Sequence, residues 1–503
     1  MGGVRSQHSL MIRGLAALNL RQSQLRGLTH LLHRAIPPIR EIVQEREALR
    51  TDFLNSVTLF PPEELDGFVR DCDTVISSFV RENAPELLAE ADRVSPSRVL
   101  RAPIGNRIVV RTIVRLSVDA VQQMPETPVV LGFLSFPFIS EPQKHKNHLL
   151  LLAFNGGDTI KQLRSLFRLL SQFLKPSFTC YERVGSENVQ FDFELILGGD
   201  LNFLRKFLAP GKKMRYCPYC SLCRPETHHI SMVRELSYDV IPTLPCDKSS
   251  PWLMDRVPRV LCTLHLRTRL AEWFCGLIMS ATKHFGSKAA AKRELQAREI
   301  HGDQTFSMTG GRAKRILDDK NILQAIFSRS RRAFGEEQAK IFHDLGRIQV
   351  LLREILSGIT KERFESELTE DPINRLARRL LAPKAKVKQL KELVLALLTS
   401  KDCRSLPDYL HILVFHVCDV LERHGDLRRF NQEGAEGMNE EFRRFWKTTS
   451  FGKRRPHKMR SSSDGRTFLE IKVSSSKTFH LLDAAAFLCA AQEADVSCVS
   501  AKQ

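Results

Sequence analysis

In the stretch YCPYCSLCRPETHH, three cysteines, Cys217, Cys220 and Cys223, recur at every third residue. Two thiolates with two residues between them can reach one ion through a tight turn, so Cys217 and Cys220 form half of a zinc site. The other half has two sources. Cys223, His228 and His229 are local, with Cys246 and Cys262 further on, whereas His411 and His416 come from the distant stretch LHILVFH. Residues five apart on a helix are about 140° out of phase, so His411 and His416 need a helix end or a distortion to share an ion.

A second chemistry lies in the carboxylates. Asp119 follows the apolar run VRLSV and Asp200 follows ELILGG, each at or just past the end of a strand-like run. One Asp in such a place is usually a turn former or a helix cap. Two of them on particular strands can hold a divalent cation, because magnesium takes oxygen ligands and keeps several waters. A pair of such ions can activate an attacking water or hydroxyl and stabilise the leaving oxygen of a phosphodiester. A third acid is then needed late in the chain, where Glu433, Glu436, Glu440 and Glu441 compete. Glu433, Glu436 and Glu440 share one helical face, and spacing does not choose among them.

The elements that must position these acids follow from hydrophobic pattern. NRIVVRTIVRLSVDA, TPVVLGFLSFPF, NHLLLLAFNG and VQFDFELILGGD are strand-length runs of β-branched or strongly apolar residues. Between the third and fourth lies DTIKQLRSLFRLLSQFLK, a helix with Leu163, Leu166, Leu169 and Leu170 on one side. The order β-β-β-α-β is that of an RNase H-like core, in which the first and fourth strands are neighbours. The expected fold is therefore α/β, an RNase H-like mixed-sheet core interrupted by a large helical insertion, with an N-terminal helical region and a zinc-binding segment.

Composition bounds the rest. The chain has 503 residues, 43% of them hydrophobic, enough for several units with real cores. Twelve cysteines at this length are too dilute for a disulfide scaffold, which points to a reducing compartment. No apolar run is long enough to cross a bilayer, so no membrane partner is expected. The formal charge of +19 favours polyanionic partners, through counterion release on nucleic acid. WKTTSFGKRRPHKMR, with Lys447, Lys453, Arg454, Arg455, Lys458 and Arg460 and no acid between them, reads as a nuclear-import signal, a phosphate contact or a solvated tail. On the helix of LHLRTRLAEW, Arg267 and Arg269 are candidate DNA-backbone contacts, with a solvated helix face as the alternative.

The expected organisation is an N-terminal helical region over 1–104 and the first part of the core over 105–210. A zinc-binding segment follows over 211–257, then a helical insertion over 258–402. Residues 403–450 return to the core with the third acid, and 451–503 form a basic tail and C-terminal extension. Within the insertion, the charged stretch 287–320 reads as exposed helix and loop rather than core. For 466–503 a strand and a helix without clear role are expected.

Taken in order, RLSVDAVQ, VVLGFLSF, FELILGGDLNFLRKFLAP leading into YCPYC, LHLRTRLAEWF, and YLHILVFHVCDVLERHGDLRRFNQEGAEGMNEEFRRFW resemble the DDE transposase-like proteins of eukaryotic cut-and-paste DNA transposons, a group similar to the catalytic core of the V(D)J recombinase. The resemblance implies a metal triad of Asp119, Asp200 and Glu436, the last because Gly434, Glu436 and Asn439 match the local pattern. Asp158 of NGGDT is a rival for the first position, ranked lower because it would leave two strands outside the expected order. VDAV departs from the glycine that more often follows the first acid.

The resemblance also implies that His411 and His416 close a four-ligand structural zinc with Cys217 and Cys220. Mg2+ or Mn2+ would serve the acids. Transposon-end and target DNA would be the partners of a nuclear homo-oligomer. Two other readings stand beside this one: a non-catalytic, zinc-stabilised DNA-binding protein derived from a transposase, and an RNase H-type nuclease acting on RNA-containing duplexes.

Overall fold

The computed structural model describes residues 39–94, 98–101, 107–122, 128–157, 159–208, 217–219, 257–284, 288–301, 306, 308–328, 335–360, 383–394, 407–424, 427–431, 433–450, 481–482 and 484–492. The chain divides into two compact units. One comprises Met1–Gly198, Asp247–Pro258 and Glu433–Gln503, the other Gly199–Cys246 and Arg259–Gln432.

The first unit is a mixed sheet with helices. Helix α1 (Ile39–Asn55) leads into strands β1 (Val57–Leu59) and β2 (Asp66–Arg70), then α2 (Cys72–Val94), β3 (Val99–Arg101), β4 (Arg107–Gln122), β5 (Pro128–Ser135) and β6 (His148–Asn155). Helix α3 (Ile160–Phe173) precedes the last two strands, β7 (Ser177–Val184) and β8 (Glu187–Gly199). The sheet order is β1-β2-β6-β5-β4-β8-β7, with β3 paired to β4. The ladder of β4 with β8 is parallel, from Arg107↔Asn188 to Ser117↔Gly198. All the other pairings named are antiparallel.

The first and fourth strands expected from sequence are thus parallel neighbours. Helix α3 also lies where expected, its Leu163, Leu166, Leu169 and Leu170 buried and its start capped by Thr159, which accepts from the Gln162 amide.

Three expectations about this unit need correction. Residues 1–104 are not purely helical, because β1, β2 and β3 fall among them. The prolines and acids of PPEELDGF do not start a helix. The helix begins after Asp71, whose carboxylate accepts from the Thr74 amide at 2.9 Å. Gly67 sits in β2 because a Cβ there would meet the Ala153 carbonyl oxygen at 2.2 Å.

The second correction is strand β7, which makes the order β-β-β-α-β-β. It pairs with β8 through a tight turn at Gly185, whose φ of 60° suits glycine. The third concerns the far end of the chain. Helical residues 484–492 belong to the core of this unit: Leu481, Leu482 and Phe487 are buried against Phe68, Leu131, Phe133, Met438 and Phe442. They cover the sheet together with the helix Glu433–Ser450. On β5 the intervening side chains, Val130 and Leu134, are buried as well, as strand alternation requires of a sheet covered on both faces. Beyond the strand's end, Phe136 stacks on Phe79 of α2 with ring centroids 3.7 Å apart.

Among its described residues the second unit is mostly helical, with one short strand. It runs through α4 (Leu201–Leu208), β9 (Arg259–Leu261), α5 (Thr263–His284), α6 (Lys288–Ala297), α7 (Gly310–Asp318), α8 (Ile322–Phe327), α9 (Glu336–Thr360), a helical run at 383–394, α10 (Asp408–Phe415) and α11 (Val417–His424). The helix Glu433–Ser450 of the first unit is α12. The charged stretch after α5 is packed rather than exposed: Ala290, Ala291, Leu295, Ile316 and Leu317 are all buried. On each of the two helices the buried residues, Ala291 with Leu295 and Ala313 with Ile316 and Leu317, are three or four positions apart and form an apolar face that the surrounding charges hide in the sequence.

Candidate functional site

The second unit gathers a metal-ligand set. Atoms of Cys217, His411 and His416 lie within 4.8 Å of one another, and all three residues are buried. His411 sits inside α10. His416 is its C-cap, with φ −123° and ψ −23°, outside helical geometry. The helix therefore ends where the five-residue spacing needs it to, and the two rings meet edge-on, at 64°, with Nε2 atoms 3.2 Å apart. Tetrahedral zinc with Zn–N bonds of about 2.0–2.1 Å places two nitrogens about 3.3 Å apart. One ring donating to the other would also suit that separation; the Cys217 thiol beside both is what makes the group a set that could hold a metal ion.

Surrounding contacts fix the set. The Tyr219 amide donates to Cys217 Sγ at 3.5 Å, and the Tyr219 ring stacks on His416 at 5.6 Å between centroids. Burial first, and the neighbouring Cys217 second, hold the Tyr219 hydroxyl far above its ordinary pKa, so it stays neutral. Arg259 Nη1 donates to the Pro218 carbonyl at 3.1 Å, holding the turn that carries Cys217. Cys220, the expected fourth ligand, lies outside the described residues, as do Cys223, His228, His229 and Cys246. Cys262 is described and buried but is not among the three converging ligands.

Asp200 also belongs to the second unit and caps α4. Its Oδ1 accepts from the Phe203 amide at 2.6 Å, while the Leu201 amide donates to Tyr409 Oη at 3.1 Å. Tyr409 is kept neutral mainly by burial. The two glycines before Asp200 have steric reasons. A Cβ on Gly198 would meet the Arg115 side chain at 2.4 Å, and one on Gly199 the Phe203 ring at 2.5 Å. The GGD motif is thus the sequence that lets a strand pass under Arg115 and turn straight into a capped helix.

Asp119 and Glu436 belong to the first unit. Asp119 is within β4 rather than at its end, since the strand continues to Gln122. Its exposed carboxylate accepts at Oδ2 from Asn439 Nδ2 at 2.9 Å. Glu436, one turn earlier on α12, is pushed up to about 7, first by partial burial and then by the charges of Asp119 and Glu433. Its side chain still reaches solvent.

Helix α12 comes this close because of its glycines. A Cβ on Gly434 would meet His148 Nε2 at 2.1 Å and the Gln143 carbonyl oxygen at 2.7 Å, and one on Gly437 would meet His145 Nε2 at 2.2 Å. His145 Nδ1 in turn pairs with Glu441 at 2.9 Å. The roles of His145, His148 and Gln143 had no mark in the sequence beyond the glycines opposite them.

Of the remaining candidates, Arg269 is ion-paired to Glu272 of the same helix at 2.8 Å, and Arg267 is half-buried. Burial alone would lower the Arg269 guanidinium, but its hydrogen bond to Glu272 raises it overall, with Tyr409 and Asp200 contributing charge. Lys453, Arg454 and Arg455 lie outside the described residues, as does Asp158. Compared with models of known protein families the sequence matches none, and a search of curated proteins finds no relative.

Proposed function

We propose that the chain is a transposase-like, metal-dependent DNA phosphodiester transferase on an RNase H-like core, with Asp119, Asp200 and Glu436 as its acids. The observation that carries this reading is the pairing of acid-bearing elements. Asp119 lies on β4, the parallel neighbour of the strand that Asp200 follows, and Asp119 raises the pKa of Glu436 from a helix more than three hundred residues later.

The donor set suits a hard divalent cation. Carboxylate oxygens are its preferred ligands, and two like charges that oppose each other's ionisation are stabilised by positive charge between them. Mg2+ or Mn2+, when bound, would activate a water or 3′-hydroxyl and stabilise the leaving oxygen of the phosphodiester. The protein's part is orientation. Asn439 fixes one oxygen of Asp119, Gly434 and Gly437 seat the helix bearing Glu436, and the Phe203 amide fixes one oxygen of Asp200.

The Cys217, His411 and His416 set, closed by Cys220, is read as structural zinc. The charge of +19 supports a polyanionic substrate; a nuclear location and a homo-oligomeric working form are what the resemblance to transposases implies. Among the described residues no helix is long and apolar enough to cross a membrane.

The test is cleavage and joining of DNA duplexes carrying the chain's own transposon ends, with Mg2+ or Mn2+, by the purified protein. Activity that falls to background in Asp119→Ala, Asp200→Ala and Glu436→Gln is expected; no metal-dependent activity, or variants as active as wild type, would refute it. The buried metal-ligand set, which does not depend on the acids, favours one second reading, a non-catalytic DNA-binding protein derived from a transposase. It predicts salt-dependent DNA binding that survives removal of all three acids, without turnover.

A further inference from the structure

Helix α9 presents an open face to a groove of about 610 Å³ within the second unit. Its floor is apolar, with Leu323, Phe342 and Val350, and Gly346 lies at its middle. Val350 is 40% exposed, one of the few large apolar side chains so open among the described residues. Phe342, Gly346 and Val350 recur at four-residue spacing on one helical face. Among the described residues nothing stands over Gly346: a Cβ there would touch only Leu323 Cδ1, at 3.9 Å.

The rim is cationic. Lys320, Arg347 and Arg353 line it and make no ion pair among the described residues. The one carboxylate among the lining residues, Glu354, is already paired with Lys386 at 3.0 Å. An apolar trough with an uncompensated basic rim is complementary to a helix that is apolar on one side and acidic on the other. From Phe342 to Glu354 the face runs about 18 Å at 1.5 Å per residue, room for about three turns of such a helix. Phosphates would satisfy the rim but leave the floor open to water.

We infer that this groove docks an acidic amphipathic helix of a partner protein. The inference is independent of the acids and of the metal-ligand set. The probe is a fluorescein-labelled synthetic peptide of about 18 residues, long enough to hold a helix, with Leu and Ala on one face and Glu on the other. Its binding to the full chain is read by fluorescence anisotropy.

Saturable binding is expected, weakening with salt, and falling about tenfold on Arg347→Glu or on Gly346→Phe, which fills the trough. Gly346→Ala, which replaces a helix-interior glycine with a better helix former, and Gly346→Phe are both expected to melt no lower than wild type. Equal binding of a matched Lys-for-Glu peptide would overturn the inference. So would affinity unchanged in Gly346→Phe, or a DNA duplex that binds at the groove while the peptide does not.

Discussion

Asn439 donates from Nδ2 to Oδ2 of Asp119 at 2.9 Å, joining residues 320 positions apart in the chain. Asn439 is almost wholly buried, so the bond is held by packing on one side and open to solvent on the other. Asn439→Ala should cost about 1 kcal/mol of stability. Asn439→Asp should cost more above pH 5, because it sets a third carboxylate beside Asp119 and Glu436. Urea unfolding of both variants at pH 5 and pH 8 measures the difference, and an Asp variant no worse than Ala would contradict it.

Glu436 makes stability fall as pH rises. Its pKa in the folded chain, about 7, exceeds the ordinary carboxyl value of 4.5, so the folded state holds its proton more tightly than the unfolded state. That contribution is complete below about pH 4.5 and is lost as pH rises through about 7. Glu436→Gln should match wild type in acid and exceed it in stability at pH 8. Mg2+ should narrow the gap by favouring the ionised carboxylate. Thermal melts of the two proteins across this range, with and without the ion, check both parts.

The buried Cys217, His411 and His416 set should bind one zinc per chain. With free zinc at a thousandfold its dissociation constant, the ion stabilises the folded form by about 4 kcal/mol. Chelation or His411→Ala should remove that stabilisation, together with the cysteine-to-metal absorption band seen on cobalt substitution. A protein that melts identically with and without metal would rule out the clamp.

Gly434 and Gly437 should not be equivalent. At Gly434 an added methyl meets the fully buried His148 and a backbone carbonyl, neither of which can yield. Gly434→Ala should cost about 1–3 kcal/mol, as overpacking does. At Gly437 the obstacle is the half-exposed His145 ring, which can swing away and lose its pairing with Glu441. Gly437→Ala should cost less, and guanidinium unfolding of the two variants ranks them.

Much of the sheet was legible because buried strands leave continuous apolar runs, as in LLLLAF of β6. Strand β7 was not, because it lies at the sheet edge with Tyr181 exposed and alternates polar with apolar. The strand at Asp66–Arg70 was hidden behind prolines and acids that imitate a helix start. The pairing of His411 with His416 was visible as a spacing, but the helix break that makes it work depends on tertiary packing. For 484–492, the run LLDAAAFLCAA advertises a helix, yet only contact with Phe133 and Met438 says that it is core.

Because residues 484–492 are packed into the first unit, the basic run that follows α12 is covalently joined to well-packed helices on both sides. Residues 484–492 act as an internal subunit of that unit. Two polypeptides, one ending at 450 and one starting at 451, should therefore copurify when expressed together and separate only in denaturant. A chain ended at 450 should be rescued by the missing piece supplied as a separate peptide.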